Sequence, residues 1–425
     1  MKKVIFFDSW KGGIKKFYTL VPELEKLGLK PLLIHLSSWE VDSLSKKEEF
    51  HNDLLIRDVS YYNNLSFDDI IELEKPDLVM LLSINTFAHW AFVRICNYKN
   101  IPTVLLFCGL ISVQAHSING KGSFKISLLA YFKKNYSRLP RLFKRVIPSY
   151  IEALRDTNAG PQDWYFFMKT LYYSFAQPAK IKSMNNVKAN KCLIYAIADK
   201  TIALNTFNYL EKEISAVGNP DFVDLNPNLL RTTRNAINAD SDQFVLYIDT
   251  GLLASGYYFV SKMDFLNHLV SIKNELFRCG KKLLFKPHPN TLDLFGDDFF
   301  RQNDIRILSN IDFFNFLPKC YCILTEPSTM ALLPCAFWKP VLFVKFGKLS
   351  GLNYGSTLLT YPKGAILNQL SDIRELVRSI NKREVTEVMD MWCLVNIGPE
   401  PYDKRSERIA NELYKLIYKF EHKSN

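Results

Sequence analysis

The 425-residue sequence lacks several features that would assign it to a specialised class of protein. Its eight cysteines include no C-x-x-C pair and mostly stand inside apolar runs, which is typical of buried reduced thiols. No apolar run reaches the roughly 18–20 residues that a membrane-spanning helix needs. The short run Val4–Phe7 ends at Asp8 without a small-residue cleavage site, which argues against a signal peptide. We therefore expect a cytoplasmic protein.

Composition indicates a globular protein with anionic partners. Hydrophobic residues make up 48% and charged residues 23%, as in ordinary globular chains, and the length exceeds what one core accommodates well. The formal net charge of +11 favours nucleotides, phosphorylated glycans, an acidic membrane face or nucleic acid. Because the basic residues are dispersed and no nucleic-acid-binding module is recognisable, we expect no nucleic-acid partner.

Apolar segments alternate with helical patterns over residues 1–120 and again over about 243–390. Since the predicted strands are apolar throughout, they should be buried on both faces, as in a parallel sheet covered by helices. The sequence therefore predicts an α/β protein with two Rossmann-like halves. The predicted order is a first half over 1–220 with a helical basic insertion at about 121–190, a linker over 221–242, a second half over 243–395, and a closing helix over 396–425.

Individual elements are predicted from the same patterns. One helix is expected to run to Leu27, with Gly28 as its C-cap, and Cys192–Ala196 and Lys200–Ala203 are expected to be strands. The strands predicted for the second half are 244–248, 282–286, 305–308, 321–325 and 340–344.

Three apolar strands in the second half are each followed by a polar turn: Phe244–Gly251, Lys281–Pro289 and Tyr321–Thr329. An open α/β sheet binds its ligand at the carboxyl ends of its strands, so a site is predicted there. Positive charge and hydrogen-bond donors at this edge suit a departing phosphate. The residues predicted to bind the nucleotide or its phosphate are Lys286, His288, Ser328, Thr329, Glu326 and Gly251.

Each of these assignments has a purely structural alternative. His288 has a proline on both sides, which fixes the direction of its ring, but it could equally be a helix-terminus histidine. Ser328 and Thr329 could act as ordinary N-caps. Asp249 could act as a nucleophile at this edge, or simply cap a turn.

The first half contributes two candidate catalytic carboxylates and one basic segment. Asp8, after the first strand, and Glu152, on a helix, are candidates for the base that activates an acceptor, and capping is the alternative for Asp8. Residues 121–145 hold eight basic side chains, no acidic one and interleaved aromatics. This segment could lie on an anionic membrane surface or be an ordinary solvated helical face.

The motifs of the second half resemble those of bacterial GT-B glycosyltransferases that build capsules, lipopolysaccharide and sialylated glycans. Lys286-Pro287-His288-Pro289 resembles their KPHP element, and Val217-Gly218-Asn219-Pro220 resembles the Gly-x-Pro turn before their donor domain. Glu326-Pro327-Ser328-Thr329 with Lys339-Pro340-Val341 resembles their donor-phosphate turn and the following strand. Two departures are Trp338, where a glycine often stands, and the missing carboxylate after Thr329.

The resemblance implies a GT-B fold: two Rossmann-like domains, acceptor and donor, facing across a cleft, with a C-terminal helix that crosses back. It implies transfer of Kdo or sialic acid from a CMP-activated donor to a bacterial surface glycan or lipid-linked oligosaccharide. Retention of configuration through a nucleophilic Asp249 is the mechanism that it implies, and no metal is expected. The alternatives are a CDP-glycerol-type or UDP-sugar-using enzyme, including a sugar 2-epimerase, and a non-catalytic scaffold of a polysaccharide assembly complex.

Overall fold

The computed structural model resolves the chain into two compact units. Within the described residues, the first unit takes in 1–107, 141–222 and 400–424, and the second takes in 225–399. The residues that the structure describes are 1–8, 13–39, 46–63, 65–107, 141–176, 187–219, 222, 225–235, 243–251, 259, 261–350, 355, 357–380 and 386–424.

The described part of the first unit is built on an eight-stranded sheet with the order β3-β4-β2-β1-β5-β6-β7-β8. All neighbouring strands are parallel except β3 and β4. The five residues Val4–Asp8 of the central strand are buried, because helices cover both of its faces. The strands are β1 (Lys2–Asp8), β2 (Leu29–His35), β3 (Glu48–His51), β4 (Leu54–Asp58), β5 (Leu78–Leu81), β6 (Thr103–Leu106), β7 (Lys191–Ile194) and β8 (Ile214–Ala216).

Seven helices of the first unit precede the linker, counted over the described residues: α1 (Ile14–Tyr18), α2 (Val21–Lys26), α3 (Phe67–Glu74), α4 (Phe87–Tyr98), α5 (Ile147–Asp156), α6 (Pro161–Ala176) and α7 (Lys200–Asn205). A π-helical turn, Leu142–Val146, leads into α5.

Two predictions about these helices are wrong. The single helix expected before Gly28 is two helices, because Pro22 in the first turn of α2 cannot donate a bond to the turn before it. The strand expected at Lys200–Ala203 is helix α7. The side chain of Asp199 accepts the amide of Ala196 at 3.1 Å and closes a 3₁₀ turn that continues directly into α7.

The second unit contains a parallel sheet, six-stranded over the described residues, with the order β11-β10-β9-β12-β13-β14. Its strands are β9 (Phe244–Ile248), β10 (Lys282–Lys286), β11 (Arg306–Ile307), β12 (Cys322–Thr325), β13 (Val341–Val344) and β14 (Gly364–Leu367). Its helices are α8 (Pro227–Asn235), α9 (Lys262–Arg278), α10 (Pro289–Phe295), α11 (Asp297–Gln302), α12 (Asn310–Phe316), α13 (Leu332–Ala336), α14 (Asp372–Ser379) and α15 (Thr386–Asn396).

The turn before β13 explains why Trp338 stands where a glycine is usual. Trp338 has a φ of 57°, in the left-handed region that glycine adopts without steric cost. The guanidinium of Arg234 lies 4.7 Å from the centre of the indole, and its Nε donates to the carbonyl of Ala336 at 2.9 Å. This cation–π contact stabilises the indole in a conformation that its own backbone disfavours.

The chain returns to the first unit in its last helix, α16 (Arg405–Ser424). The buried stripe Ile409, Leu413 and Ile417 packs into the same hydrophobic core as Phe6 and Leu24. This helix therefore covers one face of the first sheet, although the whole second unit separates it from that sheet in sequence. No described helix is long and apolar enough to cross a bilayer.

We predict that Leu413→Ala lowers the free energy of unfolding by about 2–5 kcal/mol, since it removes buried methyl groups and leaves a cavity. Chemical denaturation followed by circular dichroism measures this change. The control Glu407→Ala, on the exposed face of the same helix, should stay within about 0.5 kcal/mol of wild type. Equal losses in the two variants would mean that α16 is not packed in this core.

Candidate functional site

Three neighbouring strands of the second sheet end side by side and carry the polar residues that the sequence singled out. In the register of β9, β10 and β12, Ile248 lies opposite both Lys286 and Thr325. Asp249, Pro287 and Glu326 are therefore the first residues beyond three adjacent strand ends. The Oγ1 of Thr325 donates to the carbonyl of Ile248 at 3.1 Å and joins β12 to β9 at this edge.

The carboxylate of Asp249 links the turns after β9 and β10. Its Oδ1 accepts the amide of Gly251 at 2.9 Å, and its Oδ2 accepts the amide of His288 at 3.0 Å. The side chain is buried, and its own amide donates to the carbonyl of Lys286 at 3.0 Å. One carboxylate therefore sets the conformation of both turns.

His288 packs directly against the backbone of Gly251. Gly251 has a φ of 77°, and a Cβ at this position would lie 2.9 Å from Cγ and Nδ1 of the imidazole, so only glycine fits. The Nδ1 of His288 accepts the amide of Asn290 at 3.2 Å and caps helix α10. In the neutral ring this bond places the proton on Nε2, which makes Nε2 a hydrogen-bond donor.

Lys286, the last residue of β10, adds a cation beside Asp249 and His288. The residue is half-buried, and its Nζ donates to the carbonyl of Pro287 at 3.4 Å. Burial lowers the pKa of its ammonium group, while the negative charge of Asp249 acts in the opposite direction.

A polar network that the sequence did not reveal lies behind Asp249. The hydroxyl of Tyr247 donates to the carboxyl of Glu326 and lies 3.1 Å from Nε2 of His268. Burial, followed by the neighbouring charge of Asp249, raises the pKa of Glu326 to about 7, and the bond from Tyr247 opposes this shift. Burial also lowers the pKa of His268 to about 4.

The signal for this network was weak, because Tyr247 sits inside an apolar strand and His268 inside an amphipathic helix. Periodicity assigns both positions to the core, where Tyr247 is buried and His268 is half-buried at its border. The only signal for a hydrogen-bond network was that the polar atoms of these side chains need partners when they are buried.

Ser328 and Thr329 follow Glu326 but differ in their surroundings. Ser328 occupies the position before a 3₁₀ turn, yet its side chain makes no capping bond. Its buried Oγ has no hydrogen-bond partner among the described residues, whereas Thr329 is exposed. Capping is thus not the role of the Ser328 hydroxyl.

The two candidate carboxylates of the first half both belong to the first unit. Asp8 is buried at the carboxyl end of β1, and its Oδ2 would lie 3.1 Å from a Cβ at Gly13. Glu152 lies on α5, where burial and then the charges of Asp156 and Asp69 raise its pKa.

Two sequence features fall largely outside the described residues. The basic segment 121–145 is described only from Arg141, where it enters the π-helical turn before α5, so its role as a membrane contact stays a prediction. The expectation of no metal assumed that the sequence has no Asp-x-Asp pair, which is wrong, because Asp240 and Asp242 form one; both lie outside the described residues. The described residues contain no group of three or more histidine, cysteine or acidic side chains arranged to hold a metal ion.

Each of the two units is built on a largely parallel sheet, and solved structures of similar fold cover nearly the whole chain. Together these observations define a GT-B fold and confirm the fold class predicted from the sequence. No protein-family model matches the sequence, and no curated protein matches it.

Three solved structures carry the fold assignment. The wall teichoic acid polymerase TagF has a TM-score of 0.53 at 14% identity, over 98% of this chain and 90% of that chain. A Staphylococcus aureus MnaA–UDP co-structure has a TM-score of 0.51 at 16% identity, over 98% and 97%. The UDP-GlcNAc 2-epimerase of Methanocaldococcus jannaschii has a TM-score of 0.50 at 15% identity, over 98% and 100%. Similarity at this level of identity establishes the fold alone.

We predict that Gly251→Ala destabilises the protein more than Gly280→Ala does. Both glycines have a similar positive φ, so both variants should lose about 1–2 kcal/mol from backbone strain. A Cβ at Gly280 meets nothing within 4 Å, whereas one at Gly251 collides with the His288 ring. Denaturant midpoints measure the difference, and equal losses would contradict the contact.

We also predict a pH-dependent effect of Glu326→Gln. The folded-state pKa of about 7 exceeds the ordinary value of 4.5, so the stability associated with this group is complete below pH 4.5 and is lost as pH rises to about 7. The variant does not titrate and should therefore gain stability relative to wild type across that window. Urea unfolding at several pH values measures the gain, and parallel pH profiles would refute the shift.

Proposed function

We propose that this protein is a GT-B transferase that binds a nucleotide-activated donor at the carboxyl edge of the second sheet. The single observation that carries the proposal is the bonding of Asp249 to the amides of Gly251 and His288, which fixes an imidazole donor close to the cation of Lys286. Such a pre-set pair of donor and cation suits a phosphate that gains charge as it departs.

In this proposal His288 and Lys286 act on the leaving phosphate. The Nε2–H of His288 donates to a phosphate oxygen, because its Nδ1 is engaged by Asn290. Lys286 adds a positive charge whose lowered pKa reflects burial, and a bound phosphate would favour its charged form. The unpartnered hydroxyl of Ser328 is a third candidate donor to the same phosphate.

The donor we propose is linked through a nucleoside diphosphate, as in a UDP-sugar or CDP-glycerol. Support comes from the neighbours of similar fold: one contains UDP, and a TagF variant was soaked with CDPG. CMP-Kdo or CMP-sialic acid, which the KPHP resemblance implied, is the second candidate donor. A surface glycan remains the proposed acceptor.

The contacts of Asp249 favour a positioning role over the nucleophilic role predicted for it. Both of its oxygens accept backbone amides, so an attack on a sugar carbon would weaken the bonds that orient His288. Asp8 and Glu152 remain candidates for the base that activates the acceptor. If the enzyme is instead a 2-epimerase, it would release nucleotide and free sugar without any acceptor.

We predict that His288→Ala and Lys286→Ala each lower nucleotide release by about 100-fold, since each removes stabilisation of the leaving phosphate. The assay contains a surface-glycan acceptor and follows release of UDP from UDP-GlcNAc, of CMP from CDP-glycerol, whose glycerol phosphate is the group transferred, and of CMP from CMP-Kdo and CMP-sialic acid. Lys282→Ala is the matched control, because Lys282 is exposed at the other end of the same strand and should leave release unchanged.

The outcomes separate the alternatives. Release from CMP-Kdo or CMP-sialic acid alone would overturn the diphosphate donor and restore the CMP prediction. Normal release by His288→Ala with its fold intact would remove His288 from the site. A covalent sugar adduct in wild type that mass spectrometry no longer finds in Asp249→Asn would establish the nucleophilic role. Release from none of the four donors would favour a non-catalytic scaffold.

A further inference from the structure

A cavity of about 970 Å³ opens in the first unit, at the amino-terminal edge of its sheet. It is bordered by the segments that lead into β7 and β8, by the end of α4 and by the last turns of α16. Asp8 lies at the carboxyl end of β1 and thus at the opposite edge of the same sheet. The volume falls within the range of about 300–1,000 Å³ typical of small-molecule sites.

The charge around this cavity is unbalanced. Its acidic lining side chains are Glu213 and Glu412. Glu213 is paired with Lys188 at 2.8 Å, and Glu412 is shared between Lys191 at 3.3 Å and Lys415 at 3.4 Å. The cationic lining side chains are Arg94, Lys188, Lys191, Lys212, Lys415 and Lys419.

Lys212 and Lys419 are the cations of this lining that have no carboxylate within ion-pair distance among the described residues. Both are exposed, so neither pays a burial cost for its charge. Arg94, by contrast, is held by Thr157 at 2.6 Å and by Asp163 at 3.0 Å. The uncompensated charge of the cavity therefore comes chiefly from two lysines that are free to bind an anion.

The walls of the cavity are fixed by hydrogen bonds in the folded chain. The amide of Thr103 donates to Oδ1 of Asn190 at 2.8 Å, and Nδ2 of Asn97 donates to the carbonyl of Lys188 at 3.2 Å. The lining also includes the aromatic rings of Tyr98, which is 53% exposed, and Phe420. Phe420 is half-buried against the core of the first unit, whereas Tyr98 offers an exposed ring. An exposed aromatic ring beside amide and hydroxyl groups suits the apolar face of a sugar ring.

We propose that this cavity is a second binding site, separate from the strand ends of the second sheet, for a phosphate-bearing saccharide. Lys212 and Lys419 bind the phosphate, and Tyr98 and Phe420 contact the sugar ring. The site does not depend on the proposed transferase activity, since none of its residues belongs to the second unit. A single-stranded nucleic acid, which also carries phosphates and stacks on aromatic rings, is the competing ligand class.

The test is direct binding by isothermal titration calorimetry. The probes are N-acetylglucosamine 6-phosphate, N-acetylglucosamine, inorganic phosphate and a short single-stranded oligonucleotide. We expect the sugar phosphate to bind most tightly of the four probes, and we expect its affinity to fall as salt is added. The double variant Lys212→Ala/Lys419→Ala should lose about tenfold or more in affinity, because two charge-assisted hydrogen bonds disappear.

A double variant with the same change in charge provides the control. Lys30→Ala/Lys282→Ala removes two exposed lysines that do not line the cavity and should keep wild-type affinity. His288→Ala and saturating UDP should also leave sugar-phosphate binding unchanged, which separates this site from the proposed donor site.

Four results would overturn the proposal. They are no binding of the sugar phosphate, equal affinity in both double variants, displacement by UDP, and tighter binding of the oligonucleotide. Equal binding of inorganic phosphate and of the sugar phosphate would overturn the saccharide part. Equal binding of the neutral sugar would overturn the role of the two lysines.

Discussion

The carboxylate of Asp249 is the constraint on which the candidate site depends. Two backbone amides from different turns converge on it, so the conformation of each turn is tied to the other. The close approach of Gly251 to the His288 ring follows from this arrangement, because the amides of both residues bond to one side chain. Burial and then the negative charge of Asp249 raise the pKa of Glu326, which lies behind it, to about 7.

Much of the fold was predictable because buried parallel strands have a strong compositional signal. The predictions for β9 and β10 match their observed bounds, and the last helix is where the stripe at Ile409, Leu413 and Ile417 placed it. The short strands β3, β4, β8 and β14 were missed, since three to five residues give little periodicity. The error at Lys200–Ala203 arose from local capping by Asp199, which hydrophobic pattern does not report.

The site was predictable only in part. The sequence placed Asp249, Lys286, His288 and Glu326 at strand ends, and the parallel order of β10, β9 and β12 makes those ends adjacent. It did not indicate that Asp249 binds two amides, because that contact joins residues 39 positions apart. It also gave no reason to connect Tyr247 with His268 and Glu326, whose contact depends on tertiary packing. The polar residues at strand ends can thus be predicted from the sequence, whereas the hydrogen bonds that orient them become visible only in the folded structure.

The return of α16 to the first unit has a consequence for biosynthesis. The ribosome makes the described strands of the first sheet before it makes the second unit, yet the helix that covers Phe6 and Leu24 is made only after the second unit. Domains generally fold as units in the order of synthesis. Here the first unit exposes an apolar face until α16 is translated, which happens only after the second unit has been made. We therefore expect the nascent chain to expose an apolar surface of the kind that chaperones bind until α16 packs onto the first unit.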